Sequence, residues 1–364
     1  MKKVLLSVLA LLLIFSLAAC GTSGNTGGKK IGSVVYKFED TFMSSMRDAM
    51  TNQAKDKGWE IDIQNAEGAQ PKENDIVNSF VTQGVDVLAI NPVERDLVAP
   101  VFTAAKDANI PLVFFNKQPE PEYIENSGYD KVYYVGANAN ESGTMMGEIL
   151  RDWFKANMAT ADKNGDGKIQ YVMMTGEMNH QDAIGRSLYS QKVLQEAGLI
   201  TGFDMNSWTQ STGANECMLA NDTANWNTGE ATDKMNTWIT SIGLDKIEAV
   251  ICSNDDMALG VIEALKSAGY NAGDKDKYIP VVAVDATTKG KAALKDGTLL
   301  GTVLNDGLNQ GRAVINLSIA LVEGDLSEAK VGYKLYDKDG NVNENGRYIW
   351  IPYVKVTLDN VDEV

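Results

Sequence analysis

The chain has 364 residues, 23% charged and 44% hydrophobic, with a formal net charge of −16 at pH 7 and a single histidine, His180. That acidity excludes a nucleic-acid or other phosphate-binding surface as the main activity. One histidine excludes a histidine-rich zinc site, and a Ser-His-Asp triad would have to be built around that residue.

The first element reads as an export signal. Lys2 and Lys3 precede an apolar run from Val4 to Leu17, and Leu17-Ala-Ala-Cys20 offers the small residues a lipoprotein peptidase accepts. The run is shorter than the roughly 20 residues that span a bilayer. Residues 1–19 are therefore expected to be a cleaved lipoprotein signal peptide rather than an uncleaved membrane helix, with Cys20 acylated and inserted in the lipid bilayer. Cleavage removes two lysines and no acids, moving the net charge from −16 to −18. Residues 20–29, rich in Gly, Ser and Thr, read as a lipidated tether. The rest is expected outside the cytoplasm, at the outer face of the cell membrane or in a periplasm. There a disulfide between Cys217 and Cys252 is permitted, and two separate thiols fit equally well.

Beyond the tether, buried strands alternate with amphipathic helices. A strand over 31–36 precedes a helix over 41–57, in which Met43, Met46, Met50 and Ala54 share a face. Next come strand 59–63, helix 72–83, strand 85–90, helix 97–108 and strand 111–115. The pattern restarts with helix 141–154, strand 169–175 and helices over 182–197 and 231–242. Strands at 249–252, 280–284 and 300–303 follow, separated by helices from Asp255 and Thr287. A turn at Asp337-Lys-Asp-Gly340 with hairpin-like flanks leads to an apolar stretch over 348–352. This rhythm predicts an α/β fold, parallel sheets with helices on both faces. About 335 residues is too many for one compact core and comfortable for two domains.

Asp162-Lys-Asn164-Gly-Asp166-Gly167-Lys168-Ile-Gln170 follows the EF-hand calcium loop for nine residues. Oxygen-bearing side chains occupy loop positions 1, 3, 5 and 9, Gly167 takes the sharp turn, and Lys168 stands where only a backbone carbonyl is used. The position of the closing bidentate Glu is Met173, so a missing carboxylate must come from elsewhere in the fold. The alternative is a solvated turn. A strand starts here where an EF-hand would begin its exiting helix.

Parallel sheets bind ligands beyond the carboxyl ends of their strands. Those positions hold Asp40 and Phe42, Asn116, His180 with Asp182 and Arg186, Asn254, Asp285 and Asn305. All are planar polar groups or an aromatic ring, with no Ser or Cys nucleophile among them. Carboxylates, amides and guanidinium groups can each bond two neighbouring hydroxyls, and a ring can cover the C–H face of a pyranose. The set suits a neutral polyol, although singly each residue also reads as an ordinary strand end or helix N-cap.

Tyr36-Lys-Phe-Glu-Asp40-Thr-Phe42-Met, Val113-Phe-Phe-Asn116-Lys, the 162–170 loop, His180-Gln-Asp182-Ala-Ile-Gly-Arg186, Asn225-Trp226, the Ile247–Asp255 segment, Val284-Asp285-Ala and Gly301-Thr-Val-Leu-Asn305-Asp together resemble the D-galactose/D-glucose-binding proteins of ABC uptake systems. The resemblance spans about residues 31–360. It implies the two-domain periplasmic-binding-protein type I fold, each domain a parallel sheet flanked by helices, joined by a three-crossing hinge. The expected domains are 30–136 plus 306–349, and 137–305 plus 350–364. Phe42 and Trp226 would sandwich the sugar ring, while Asp40, Asn116, His180, Asp182, Arg186, Asn254, Asp285 and Asn305 bond its hydroxyls. Ca2+ would be held by Asp162, Asn164, Asp166, the Lys168 carbonyl, Gln170 and Glu248, the last being the missing carboxylate.

The implied partners are D-galactose or D-glucose, the membrane subunits of an ABC permease and a chemoreceptor, with the protein a monomer that catalyses nothing. Ribose or xylose is the competing ligand. A glycoside hydrolase would use Asp40 and Asp182 as paired carboxylates, and a sugar-responsive repressor would need a helix-turn-helix where this chain carries its export signal. Two segments depart from the family pattern: 206–220, which precedes Trp226, and the hairpin around 337–346 are both lengthened.

Overall fold

The computed structural model describes residues 29–210 and 215–364. The signal peptide, Cys20, the tether up to residue 28 and residues 211–214 lie outside the described residues. Among the described residues no helix is long and apolar enough to cross a membrane.

The first half alternates β1 (Lys30–Val35), α1 (Thr41–Asp56), β2 (Glu60–Asn65), α2 (Gln70–Gln83), β3 (Val87–Ile90), α3 (Ala99–Asp107), β4 (Leu112–Phe115), the short α4 (Glu122–Glu125) and β5 (Val132–Gly136). β3 and β4 are buried throughout, as expected of strands covered on both faces. The second half runs α5 (Ala139–Ala161), β6 (Tyr171–Thr175), α6 (Gln181–Glu196), β7 (Met218–Thr223), α7 (Thr228–Ser241), β8 (Ala249–Cys252), α8 (Asp255–Ser267), β9 (Val281–Val282), α9 (Thr288–Lys295) and β10 (Thr302–Leu304). The chain closes with α10 (Gly307–Glu323), α11 (Glu328–Val331), β11 (Tyr348–Trp350) and β12 (Val354–Val356).

A six-stranded parallel sheet has the order β11-β5-β4-β3-β1-β2, and a four-stranded parallel sheet the order β7-β6-β8-β9. β10 and β12 pair antiparallel. The chain therefore leaves the first sheet after β5 and returns with α10, which packs on α1. It crosses once more between β11 and β12. Each body has its own core. In the second, alternation along the strand divides the side chains between two faces: Val172 and Met174 of β6 lie in one apolar layer, Tyr171 and Met173 in the other. Cys252 belongs to the first of these layers and Cys217 to the second, and both are free, buried thiols.

Besides the short α4, α11 and β12, three elements were not legible in the chain. β7 buries only Met218 fully and sits at a sheet edge, so it lacks an apolar signature. α10 is buried at ten positions, including three in succession at Ala313–Ile315, and this blurs the helical period. β5 is a short apolar run of the kind whose period decides nothing. The 300–303 strand is placed at Thr302–Leu304 and pairs antiparallel with β12. The stretch stays tied to the parallel sheet by the bridge Val282↔Gly301 and by N–H bonds from Leu300 to the Val281 carbonyl at 2.9 Å, from Ala283 to the Gly301 carbonyl at 3.2 Å and from Asp285 to the Val303 carbonyl at 2.7 Å. The Asp337 turn is closed by an antiparallel bridge Tyr336↔Val342.

Candidate functional site

The carboxyl ends of the two parallel sheets face one cavity of about 290 Å³, including its mouth. Asp40, Phe42, Asn116, His180, Asp182, Arg186, Trp226, Asn254, Asp285 and Asn305, all named above from the sequence, line it, together with Tyr36.

Helix starts hold three of these side chains. Asp40, His180 and Asn254 are the N-caps of α1, α6 and α8, each accepting a backbone N–H through one atom. Asp40 Oδ1 accepts from Met43 N at 2.9 Å, while Oδ2 accepts the Tyr36 hydroxyl at 2.8 Å. His180 Nδ1 accepts from Asp182 N at 3.1 Å, which leaves Nε2 to carry the proton. Burial, then the nearby Lys117 and Arg186 charges, hold this imidazole well below its ordinary pKa. At neutral pH His180 therefore offers a neutral N–H donor. Asn254 uses its oxygen on Met257 N at 3.0 Å, so its amide NH2 remains for the cavity.

Arg186, one helical turn beyond Asp182 on α6, is 2% exposed and braced on all sides. It donates to Asp182 Oδ2 at 3.1 Å, to the Ser253 carbonyl at 2.7 Å, and to the Ser142 and Tyr353 hydroxyls at 3.4 Å each. Asp40, Asp182 and Asp285 all have raised pKa values. Burial is the largest cause in each; hydrogen bonds oppose it at Asp40, and the Arg186 charge opposes it at the other two. Asp285 stands at φ +118° and meets Asn305 Nδ2 at 3.5 Å, while Gln310 holds the Asn305 oxygen at 2.6 Å. Asn116, at φ +56°, takes an N–H of the buried Asn91 on its side-chain oxygen at 3.1 Å.

Trp226 is presented by two left-handed residues in a row, Asn225 at φ +48° and Trp226 itself at φ +64°. Its ring lies over Gly176, where an added Cβ would stand 2.1 Å from ring carbon Cη2. Only glycine allows that approach. His180 meets the indole edge-on, with ring centroids 4.9 Å apart. The indole Nε1 is buried with no hydrogen-bond partner among the described residues, a donor left for a ligand.

Three residues at this site, Tyr36, Glu177 and Gln181, were missed from the sequence. Glu177 bridges the bodies, accepting Lys37 Nζ at 2.6 Å and Lys117 Nζ at 3.1 Å. Gln181 adds a crossing bond to the Asn116 carbonyl at 2.8 Å. Glu177 stands two residues beyond β6, so the strand-end rule could have found it. Its partner in a distant segment could not be read.

The 162–170 loop lies at the opposite end of β6 from the cavity, roughly 15 Å away by the rise of a strand. Asp162 accepts N–H bonds from Gly165 at 2.7 Å and Gly167 at 2.8 Å; Asn164 and Asp166 accept from Asp166 and Lys168. Glu248, just ahead of β8, reaches the loop and accepts Lys163 N–H at 2.5 Å and Gln170 N–H at 2.8 Å. The donors so assembled are all oxygens, as a hard divalent cation requires. Among the described residues no three Asp, Glu, His or Cys side chains stand close enough to form a ready-made metal cluster. Here the carboxylates are turned onto backbone N–H groups.

Residues 31–326 match the periplasmic binding protein domain family. The chain is a periplasmic binding protein. Across the whole chain it is 35% identical to the D-galactose/methyl-galactoside binding periplasmic protein MglB of Haemophilus influenzae, covering 98% of that protein. It is 31% identical over 313 residues to the xylitol-binding protein of Mycolicibacterium smegmatis, covering 85% of this chain and 77% of that one. Among solved structures, an ABC transporter solute binding protein from Bacillus halodurans with bound myo-inositol shares the fold. Its TM-score is 0.71 at 24% identity, over 94% of this chain and 98% of that one. Periplasmic binding proteins are solute-binding proteins rather than enzymes and work outside the cytoplasm. Membership of this family therefore speaks against the glycoside-hydrolase alternative.

Proposed function

We propose that this periplasmic binding protein captures D-galactose or D-glucose in the cavity and delivers it to an ABC permease. The observation that carries the reading is the mixture of fixed donors and acceptors that lines one cavity together with two aromatic rings. Arg186, the His180 Nε2–H and the Asn254 amide donate; the Asp40, Asp182 and Asp285 carboxylates accept; Phe42 and Trp226 offer the rings. A hydroxyl both donates and accepts, so a ring of hydroxyls needs such a mixture. The galactoside-binding relative from Haemophilus influenzae favours a hexose. A pentose or polyol is the second reading, favoured by the xylitol-binding relative and by ribose-binding relatives at 25% identity and below. Calorimetric titration of sugar-free protein against a panel of hexoses, pentoses and polyols separates them. Micromolar or tighter binding of either hexose is expected, and a pentose bound while both hexoses are ignored would refute the assignment.

The proposal extends to the anchor, the hinge and the metal. Cys20 would carry lipid, and the domains would be 30–136 with 306–349 and 137–305 with 350–364, closing on the sugar so that a permease or a chemoreceptor meets both. Ca2+ would take Asp162, Asn164, Asp166, the Lys168 carbonyl, Gln170 and Glu248. The approach of Glu248 to a loop 78 residues away supports this, since a solvated turn needs no such partner. A cation bound there in the folded form alone would stabilise the second domain.

A further inference from the structure

Asp255 follows the cavity residue Asn254 but does not line the cavity. It is fully buried, and both its oxygens serve other loops. Oδ2 accepts the Thr287 backbone N–H at 2.7 Å and the Thr287 hydroxyl at 3.0 Å, and Oδ1 accepts the Thr302 hydroxyl at 2.7 Å. The Thr302 oxygen in turn accepts the Ala286 N–H at 3.2 Å. The Asp255 N–H donates to the Val284 carbonyl at 2.8 Å. One carboxylate thus ties together the three segments that carry Asn254, Asp285 and Asn305.

What it holds is strained. Asp285 and Ala286 stand at φ +118° and +49°, and neither is glycine. Such conformations persist only where the surroundings over-determine them. The N–H groups of Ala286 and Thr287, the residues that complete this turn, end on Thr302 and Asp255 respectively. The start of α9 is built around the same group, for a Cβ on Gly290 would lie 2.0 Å from Asp255 Oδ2.

We infer that Asp255 is a positioning residue, which by holding the Asp285–Ala286 turn sets the direction in which Asp285 meets the ligand, without touching the ligand itself. The inference rests on the cavity being the monosaccharide site. The test is a double-mutant cycle in the full chain, read as affinity for D-galactose and D-glucose by calorimetric titration. Asp255→Asn keeps the shape but removes one of the acceptors, and should weaken binding about tenfold. In an Asp285→Ala background the same change should cost no more than about twofold, because there is no longer a carboxylate to misdirect. In an Asn116→Ala background, on the opposite wall, the full tenfold loss should remain. Equal losses in all three backgrounds would leave Asp255 a general structural role and overturn the inference.

Hydrogen exchange of the sugar-free protein supplies a readout independent of any ligand. Residues 284–290 should lose protection in Asp255→Asn while β6 keeps its own. Unchanged protection over 284–290 would also overturn the inference, even with sugar binding intact. If the wild type binds neither hexose, the sugar reading fails, and the exchange result still decides the role of Asp255. Should Asp255→Asn not fold, Thr302→Val removes one arm and carries the same cycle.

Discussion

Replacing Glu177 by glutamine should loosen the closed cleft. Its carboxylate is the acceptor for two lysines of the other body, with side-chain exposures of 17% for Glu177, 7% for Lys117 and 40% for Lys37. The Lys37 pair is half in water and contributes about 0.5 kcal/mol. The Lys117 pair is enclosed, and the ammonium left behind would retain only the Val93 carbonyl at 2.7 Å and the Tyr36 ring at 4.3 Å. Stranding a buried charge costs up to about 3–5 kcal/mol; with these two partners remaining and a glutamine oxygen still present, about 1–2 kcal/mol is reasonable. Together the two pairs favour closure by roughly 2 kcal/mol, about thirtyfold in the closed-to-open ratio.

Apparent affinity falls with the population of the closed form, so Glu177→Gln should bind hexose at least about tenfold more weakly. Calorimetric titration at low and high salt checks this, because the wild type should lose affinity with salt more steeply than the variant. Small-angle scattering should show an expanded sugar-free ensemble. The pH range follows from the charge state of Glu177. Burial pushes its pKa up, but Lys117 and Lys37 outweigh it and hold it below the ordinary value. The contribution is therefore complete above the unfolded pKa of about 4.3 and is lost only as pH falls through the lower folded value. Unchanged affinity, salt slope and scattering in Glu177→Gln would refute the reasoning.

Asp40→Asn removes a charged acceptor at the cavity wall and should weaken hexose binding by about 1.5–3 kcal/mol, tenfold or more, measured calorimetrically. Trp226 fluorescence should shift or quench as sugar enters, and Trp226→Phe should abolish that signal. A signal and affinity that both survive the substitution would make the indole a core residue. Chelation should lower the melting temperature while changing hexose affinity little, and Glu248→Gln should imitate the chelator; a melting temperature indifferent to calcium, with no metal by elemental analysis, would return the loop to a solvated turn. Asp255 is held by burial at a pKa of about 6, despite three opposing hydrogen bonds. A raised carboxyl pKa means stability that is present below the unfolded pKa of about 3.9 and lost as pH rises through about 6, on the order of 2–3 kcal/mol. The stability deficit of Asp255→Asn against the wild type should therefore shrink between about pH 4 and 7, as followed by denaturant unfolding.

The alternation of apolar runs with amphipathic stretches was enough to determine two parallel sheets and, with them, which residues stand at the strand ends. Parallel strands of one sheet all point the same way, so Asp40 and Asn116 share the carboxyl end of the first sheet, and His180, Asn254 and Asp285 that of the second, as soon as the strands are located. Tertiary structure alone decided the rest. β7 has no apolar run to betray it, and α10 is buried on too many positions to keep a period. Glu177 finds Lys37 across 140 residues of chain and Lys117 across 60, and Asp255 finds Thr302 across 47. Propensity and period describe a residue against its near neighbours. A charge pair or a buried carboxylate depends instead on which distant segment the fold brings alongside, and on how far burial there removes the water that would otherwise compete for it.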